Sequence, residues 1–178
     1  DRQENRRHMS THFPATYSTL SAKALAHYLS TQYALNEVVE LDFIQRGLND
    51  TYLVRCGVDE KYIFRIYRAN WRSKIDIAYE VDALAYLRNK DVAVSQALRR
   101  RDGNYLCTFE APEGVRHAVL FAFAPGKELS YDKGGDVLAS RYGRGVAEIH
   151  NAMETFSTSH QRATLDLNYL IGAPLRHI

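Results

Sequence analysis

The stretch "KYIFRIYRANWRSKIDIAYEVDALAYLRN", Lys61 to Asn89, decides the reading of the fold because its periodicity changes halfway along. In "KYIFRIYR" the side chains alternate: Ile63, Arg65 and Tyr67 fall on one face, and Phe64, Ile66 and Arg68 on the other, as in a strand. After "ANWRS" the repeat lengthens, and Ile77, Val81, Leu84, Ala85 and Arg88 share one helical stripe. A strand followed by a helix, within a run of other strands, predicts a sheet that uses the inserted helix to cover a face.

Working outward, Val38 to Gln45 and Thr51 to Cys56 read as two strands ahead of Lys61 to Arg68, with the Gly and Asp of a tight hairpin in "CGVDEK". Before them, "TLSAKALAHYLSTQY" predicts a short helix with Ser21 as N-cap and Leu25, Tyr28, Leu29 and Tyr33 at helical spacing. Downstream, Val94 to Arg100 and Tyr105 to Phe109 read as strands joined by the hairpin signal "RRRDGN". "APEG" turns the chain into the apolar run Val115 to Phe123. "APGKE" then breaks it, and "VLASRYGRGVAEIHNAM" predicts a further helix. The fold class is therefore α+β: an antiparallel sheet with one inserted helix, followed by helical sequence.

Bulk properties exclude several classes. With 178 residues, 46% hydrophobic and 25% charged, the sequence has the make-up of a soluble globular protein, and a chain of this size buries roughly 70% of its unfolded surface. A formal net charge of +2 does not by itself predict nucleic acid or membrane as partner. No apolar run approaches the roughly 20 residues of a spanning helix, and no secretory signal is visible. Cys56 and Cys107 stand alone in strand-like segments, without disulfide or metal spacing, so a reduced, cytoplasmic setting is expected. Residues 1–16 read as a tag or disordered leader; "DRQENRRHMS" is polar and aperiodic.

Arg65, flanked on its own face by Ile63 and Tyr67, is a cation among apolar neighbours and calls for a partner. Glu80, one residue from the buried stripe at Val81, offers one. That ion pair would hold a fixed cation beside "GLNDTYLVR", Gly47 to Arg55, where a glycine and small polar residues interrupt two strands. A guanidinium next to a loop of bare backbone N–H groups suits phosphate oxygens. The plain alternative is a solvated arginine at a sheet edge and an ordinary turn. "VLFAFAPGKEL" adds an apolar strand ending at a bend, a setting for a flat heterocycle between two lobes.

The order of these pieces resembles the amino-terminal lobe of the aminoglycoside phosphotransferase family, small-molecule kinases akin to protein kinases. The likeness runs from about Tyr17 to the end. It implies a protein-kinase-like N-lobe at 17–123 and, at 124–178, a hinge and the first helices of an incomplete C-lobe. "GLNDTYLV" resembles the phosphate-covering loop, "YIFRIYR" the strand with the cation, and "YEVDALAYL" the helix with its carboxylate. "VLFAFAPGKEL" resembles the adenine-holding hinge, and "YGRGVAEIHNAM" the first long helix of the second lobe. By that resemblance Asn49 and Thr51 lie under the phosphates of ATP or GTP, and Gly47 allows the bend. Arg65 contacts the α- and β-phosphates, Glu80 orients it, and Phe121, Ala122, Phe123 and Ala124 meet adenine through their backbone. The family usually has Lys where Arg65 stands, and the two are not equivalent.

Phosphoryl transfer in the family also needs a His-x-Asp with a downstream Asn, and a second Asp for Mg²⁺. None of the seven histidines, His150 in "EIHNAM" included, has Asp two residues later. The implied activity is a phosphotransferase acting on a small-molecule hydroxyl. This chain carries its nucleotide-binding portion without the catalytic loop, and is expected to be inactive alone. The apolar series Leu165, Leu167, Leu170, Ile171, Leu175 and Ile178 implies self-association or a missing companion segment. Two other classes stand beside this one: a non-catalytic kinase-like binding or regulatory module, and nucleic-acid binding through Arg99, Arg100 and Arg101. The second lacks an aromatic platform or extended basic stripe.

Overall fold

A computed structural model describes residues 13–126 and 135–176 of the chain. The "APGKE" break lies partly, and the leader up to residue 12 wholly, outside the described residues, as does Ile178. Five antiparallel strands form one sheet in the order β1-β2-β3-β5-β4: β1 Val38–Arg46, β2 Asn49–Cys56, β3 Glu60–Tyr67, β4 Cys107–Ala111 and β5 Gly114–Ala122. Helix α1 spans Ala22–Gln32, α2 Lys74–Asn89 and α3 Gly135–Met153, and a π-helical turn, Asn168–Gly172, runs into Ala173–Leu175. This is the predicted α+β architecture, with the helix inserted after the third strand.

Strand alternation sorts the core into two layers. Phe64 and Ile66 of β3, with Ala118 and Leu120 of β5 and Tyr52 and Val54 of β2, meet Leu25, Leu29 and Tyr33 of α1. On the opposite face Tyr67, Val119 and Phe121 meet Ile77 and Val81 of α2, with Leu84 packed alongside. Burying each large apolar side chain in these layers contributes about 1.5–3 kcal/mol. The β2–β3 turn needs its glycine, because Gly57 sits at φ 50°, a region costly for residues with a Cβ. Cys56 and Cys107 are both buried and unbonded to each other, and burial pushes both thiols up.

Both caps follow local chemistry. The Ser21 side chain accepts from Ala24 N–H at the start of α1. At α2 the Ser73 hydroxyl accepts from Asp76 N–H at 3.1 Å while Asp76 accepts from Ser73 N–H at 3.0 Å, a reciprocal capping box. Hydrogen bonds from Ser73 outweigh burial and hold the Asp76 carboxyl below the usual range. Ser73→Ala is expected to cost about 1 kcal/mol, read as a lowered urea midpoint with unchanged slope.

Two sequence expectations require correction. Val94 to Arg100 is not a ladder strand: only Ala97 bridges to Phe121, while Leu98 N–H donates to Leu120 O at 2.8 Å and Ala122 N–H to Gln96 O at 2.9 Å. The segment covers the edge of β5 that the short β4 leaves open, so its partner is β5 rather than Tyr105 to Phe109. The "RRRDGN" turn does form, closed by Arg100 N–H to Asn104 O at 2.8 Å. Its arginines tie the turn: Arg99 donates to Gly103 O and lies over the Tyr105 ring, and Arg100 bonds Gln32 and Leu106 O. On α2, Leu87 rather than Arg88 ends the buried stripe. Arg88 stays in water at the last turn, where a cation also complements the helix dipole.

Helix α3 buries none of its residues, and Val137, Tyr142, Leu165, Leu167, Leu170, Ile171 and Leu175 stand exposed. Among the described residues no helix is long and apolar enough to cross a membrane.

Candidate functional site

Cross-strand register builds the site. In the β2–β3 pairing Asn49 lies opposite Tyr67 and Thr51 opposite Arg65, so these side chains share the α2 face of the sheet. The bend before them is tighter than predicted: β1 runs to Arg46 and β2 resumes at Asn49, leaving Gly47 and Leu48 to turn the chain. A Cβ built on Gly47 meets nothing within 4 Å among the described residues, and its φ is not in the positive range. Neither backbone strain nor crowding from the protein demands glycine there.

Arg65 and Glu80 meet as the sequence predicts. Arg65 donates from Nη1 to Glu80 Oε1 at 2.7 Å, and the Tyr67 hydroxyl donates to Glu80 Oε2 at 2.9 Å. Glu80 is thus held from both sides, and the guanidinium also lies 4.9 Å from the centre of the Phe121 ring. Burial, with Glu80 beside it, pushes the Tyr67 hydroxyl well above its ordinary value, so it remains a donor. The side chains of Arg65 and Glu80 are 36% and 30% exposed. The guanidinium is therefore oriented yet still open to an approaching anion.

Two hollows adjoin at Glu80. One, about 360 Å³, is lined by Ile63, Arg65, Glu80, Leu84, Ser95, Phe121, Phe123 and Ala124. The other, about 340 Å³, is bounded by Leu48, Asn49, Tyr67, Trp71, Arg72, Glu80 and Arg162. Asn49 Oδ1 is buried and has no hydrogen-bond partner among the described residues. In the segment 121–124, Phe121, Phe123 and Ala124 line the first hollow, but Ala122 does not. Its N–H donates to Gln96 O, and its carbonyl takes the Ser95 hydroxyl. Among the described residues no group of three or more His, Cys, Asp or Glu could hold a metal ion.

Sequence reasoning missed the charge network under the loop. Asp50 and Arg116 are both fully buried and paired at 2.9 Å. Tyr17 OH donates to Asp50 Oδ1 at 2.6 Å, and Arg116 reaches Tyr67 O and Ser18 O, each at 3.0 Å. Glu113 lies 3.6 Å from Arg116 and accepts from the Ser18 hydroxyl at 2.7 Å. The network fastens the foot of the 47–49 bend to β5 and to the chain ahead of α1. Its signal was present in the strand period: Asp50 is in phase with Tyr52, Val54 and Cys56, and Arg116 with Ala118 and Leu120.

The fold is that of protein-kinase-like small-molecule kinases, in the part that carries the five-stranded sheet. A microcompartment-associated aminopropanol kinase superposes with a TM-score of 0.70 at 26% identity, covering 86% of this chain and 48% of that one. An amicoumacin kinase solved with AMP-PNP, Ca²⁺ and Ami superposes with a TM-score of 0.71 at 16% identity, covering 80% and 44%. By sequence the chain is 37% identical over 169 residues to an uncharacterized protein of Synechocystis sp., covering 93% of this chain and 45% of the relative. An uncharacterized protein of Deinococcus radiodurans matches at 37% over 166 residues, covering 93% and 47%. No family model matches. The chain spans about half the length of the curated relatives it matches.

Proposed function

We propose that the chain is the nucleotide-binding portion of an ATP- or GTP-dependent phosphotransferase acting on a small-molecule hydroxyl, of the aminoglycoside phosphotransferase type. One observation carries this reading: the Arg65–Glu80 pair stands where the two hollows meet, beside the Gly47–Leu48 bend. In this reading Phe121, Phe123 and Ala124, with the remaining lone pair of the Ala122 carbonyl, face the base. Arg65 takes the α- and β-phosphates, held by Glu80. Asn49 and Thr51 lie under the phosphates. The division between lobes falls at 123/124. Neutralisation of the triphosphate by Mg²⁺ is the chemistry the metal would supply, but the described residues offer it no ligand cluster. No transfer step is assigned to this chain.

The kinase-like neighbours support the reading through their fold, and the exposed apolar side chains of α3 and 165–175 are consistent with a further segment or a second copy covering them. Titrating the purified chain with Mg-ATP and with Mg-GTP by calorimetry tests it. Saturable binding of either is expected, and no heat with both nucleotides would remove the functional reading.

A sharper check is Gly47→Ala. The fold gives the new methyl free space, so stability should hold or rise by about 0.4–1 kcal/mol through the unfolded state. Nucleotide affinity should nonetheless drop several-fold, because the methyl would occupy the path of phosphate oxygens to the backbone. Unchanged affinity would take Gly47 out of the site.

A further inference from the structure

We infer that the segment from Thr155 to His160 is a strap that fixes where α2 stands, and that Asp82 is a positioning residue for the Arg65–Glu80 pair. This rests on the nucleotide-site reading above. The strap leaves the end of α3 through a turn, Phe156 N–H to Met153 O at 3.0 Å, and lies along α2. There the Phe156 ring packs edge-on to Tyr79 at 5.5 Å and tilted against Tyr86 at 5.2 Å. The Tyr86 hydroxyl bonds the Thr155 hydroxyl at 2.7 Å. The Thr158 hydroxyl donates to Asp82 Oδ2, and His160 Nδ1 lies 2.9 Å from the same oxygen.

Tyr79, Asp82 and Tyr86 are spaced three and four apart, so they form one stripe on α2. At about 100° per residue Tyr79 and Tyr86 are roughly opposite Ile77 and Val81, which face the sheet, while Asp82 is on the flank away from Glu80 and lines a hollow with Ile77, Val81 and His160. The helix is therefore held between two surfaces, with Glu80 on its flank. On the sheet side Ile77, Val81 and Leu87 are its buried residues among those described. A slip of a single residue along the axis, about 1.5 Å, would carry Glu80 out of its 2.7 Å contact with Arg65. Burial raises Asp82, but the Thr158 and His160 hydrogen bonds outweigh it and keep the carboxyl below the usual range. The strap is thus anchored on an ionised group. It belongs to the chain beyond the 121–124 segment, so the placement of α3 is transmitted to Glu80 without touching the cleft.

The test compares wild type, Asp82→Ala and Phe156→Ala by Mg-ATP titration and by amide hydrogen exchange. Each variant should bind Mg-ATP three- to tenfold more weakly, and the amides of α2 should exchange faster while those of β2, β3 and β5 do not change. In a Glu80→Gln background, Asp82→Ala should cost nothing further, which a general loss of stability would not reproduce. An equal loss in that background, or unchanged exchange in α2 for both variants, would overturn the strap. If wild type takes up no nucleotide, the binding reading falls, and α2 exchange still decides the strap by itself.

Discussion

Arg65→Ala is expected to weaken nucleotide binding by about 10- to 100-fold while lowering the melting temperature by no more than a few degrees. A charge-assisted bond from guanidinium to phosphate is worth about 1.5–3 kcal/mol. Its loss to stability is smaller, since the Arg65–Glu80 pair is about a third exposed and such pairs contribute roughly 0–1 kcal/mol. The contact with the Phe121 ring adds about 0.5–1 kcal/mol. The gap between the two effects is the signature of a binding residue. Calorimetric titration read beside a thermal melt separates them, and Arg65→Lys should fall between, keeping charge but not the fork. Equal affinity for Arg65→Ala and wild type would end the case for this cation.

The second large effect lies in the buried network, and here stability is the readout. Arg116→Ala leaves the fully buried Asp50 carboxylate without its main partner and should cost about 3–5 kcal/mol. Against a typical total of about 5–15 kcal/mol, that is a large fraction. The double change Asp50→Leu with Arg116→Met removes both charges at similar volume and should recover most of the loss. Urea unfolding of the single and double variants measures this. A double variant as unstable as the single one would mean that the bonds from Arg116 to Tyr67 O and Ser18 O carry the site, rather than the pairing with Asp50.

The sheet and its inserted helix were legible because their signals are local. Alternation in "KYIFRIYR" and the stripe through Ile77 and Val81 each depend on neighbours within a few residues. The Arg65–Glu80 pair was legible for a related reason: it spans fifteen residues of one strand–helix unit. Val94 to Arg100 misled because strand-like sequence does not say which partner supplies its hydrogen bonds, and that partner, β5, lies farther along the chain. Asp50 and Arg116 are 66 positions apart, and each alone resembles a polar residue near a turn. The strap's contacts join residues 69 to 78 positions apart, so no window of sequence contains both ends.

The guanidinium at position 65 has a practical corollary. Acyl-transferring nucleotide probes mark a protein by acylating a primary amine that lies against the phosphates. Arginine offers none, so such reagents should leave this position unmarked even at full occupancy. Surveys that harvest nucleotide users by amine capture would then pass over Arg65, whereas dicarbonyl reagents directed at arginine should modify it, and bound nucleotide should shield it.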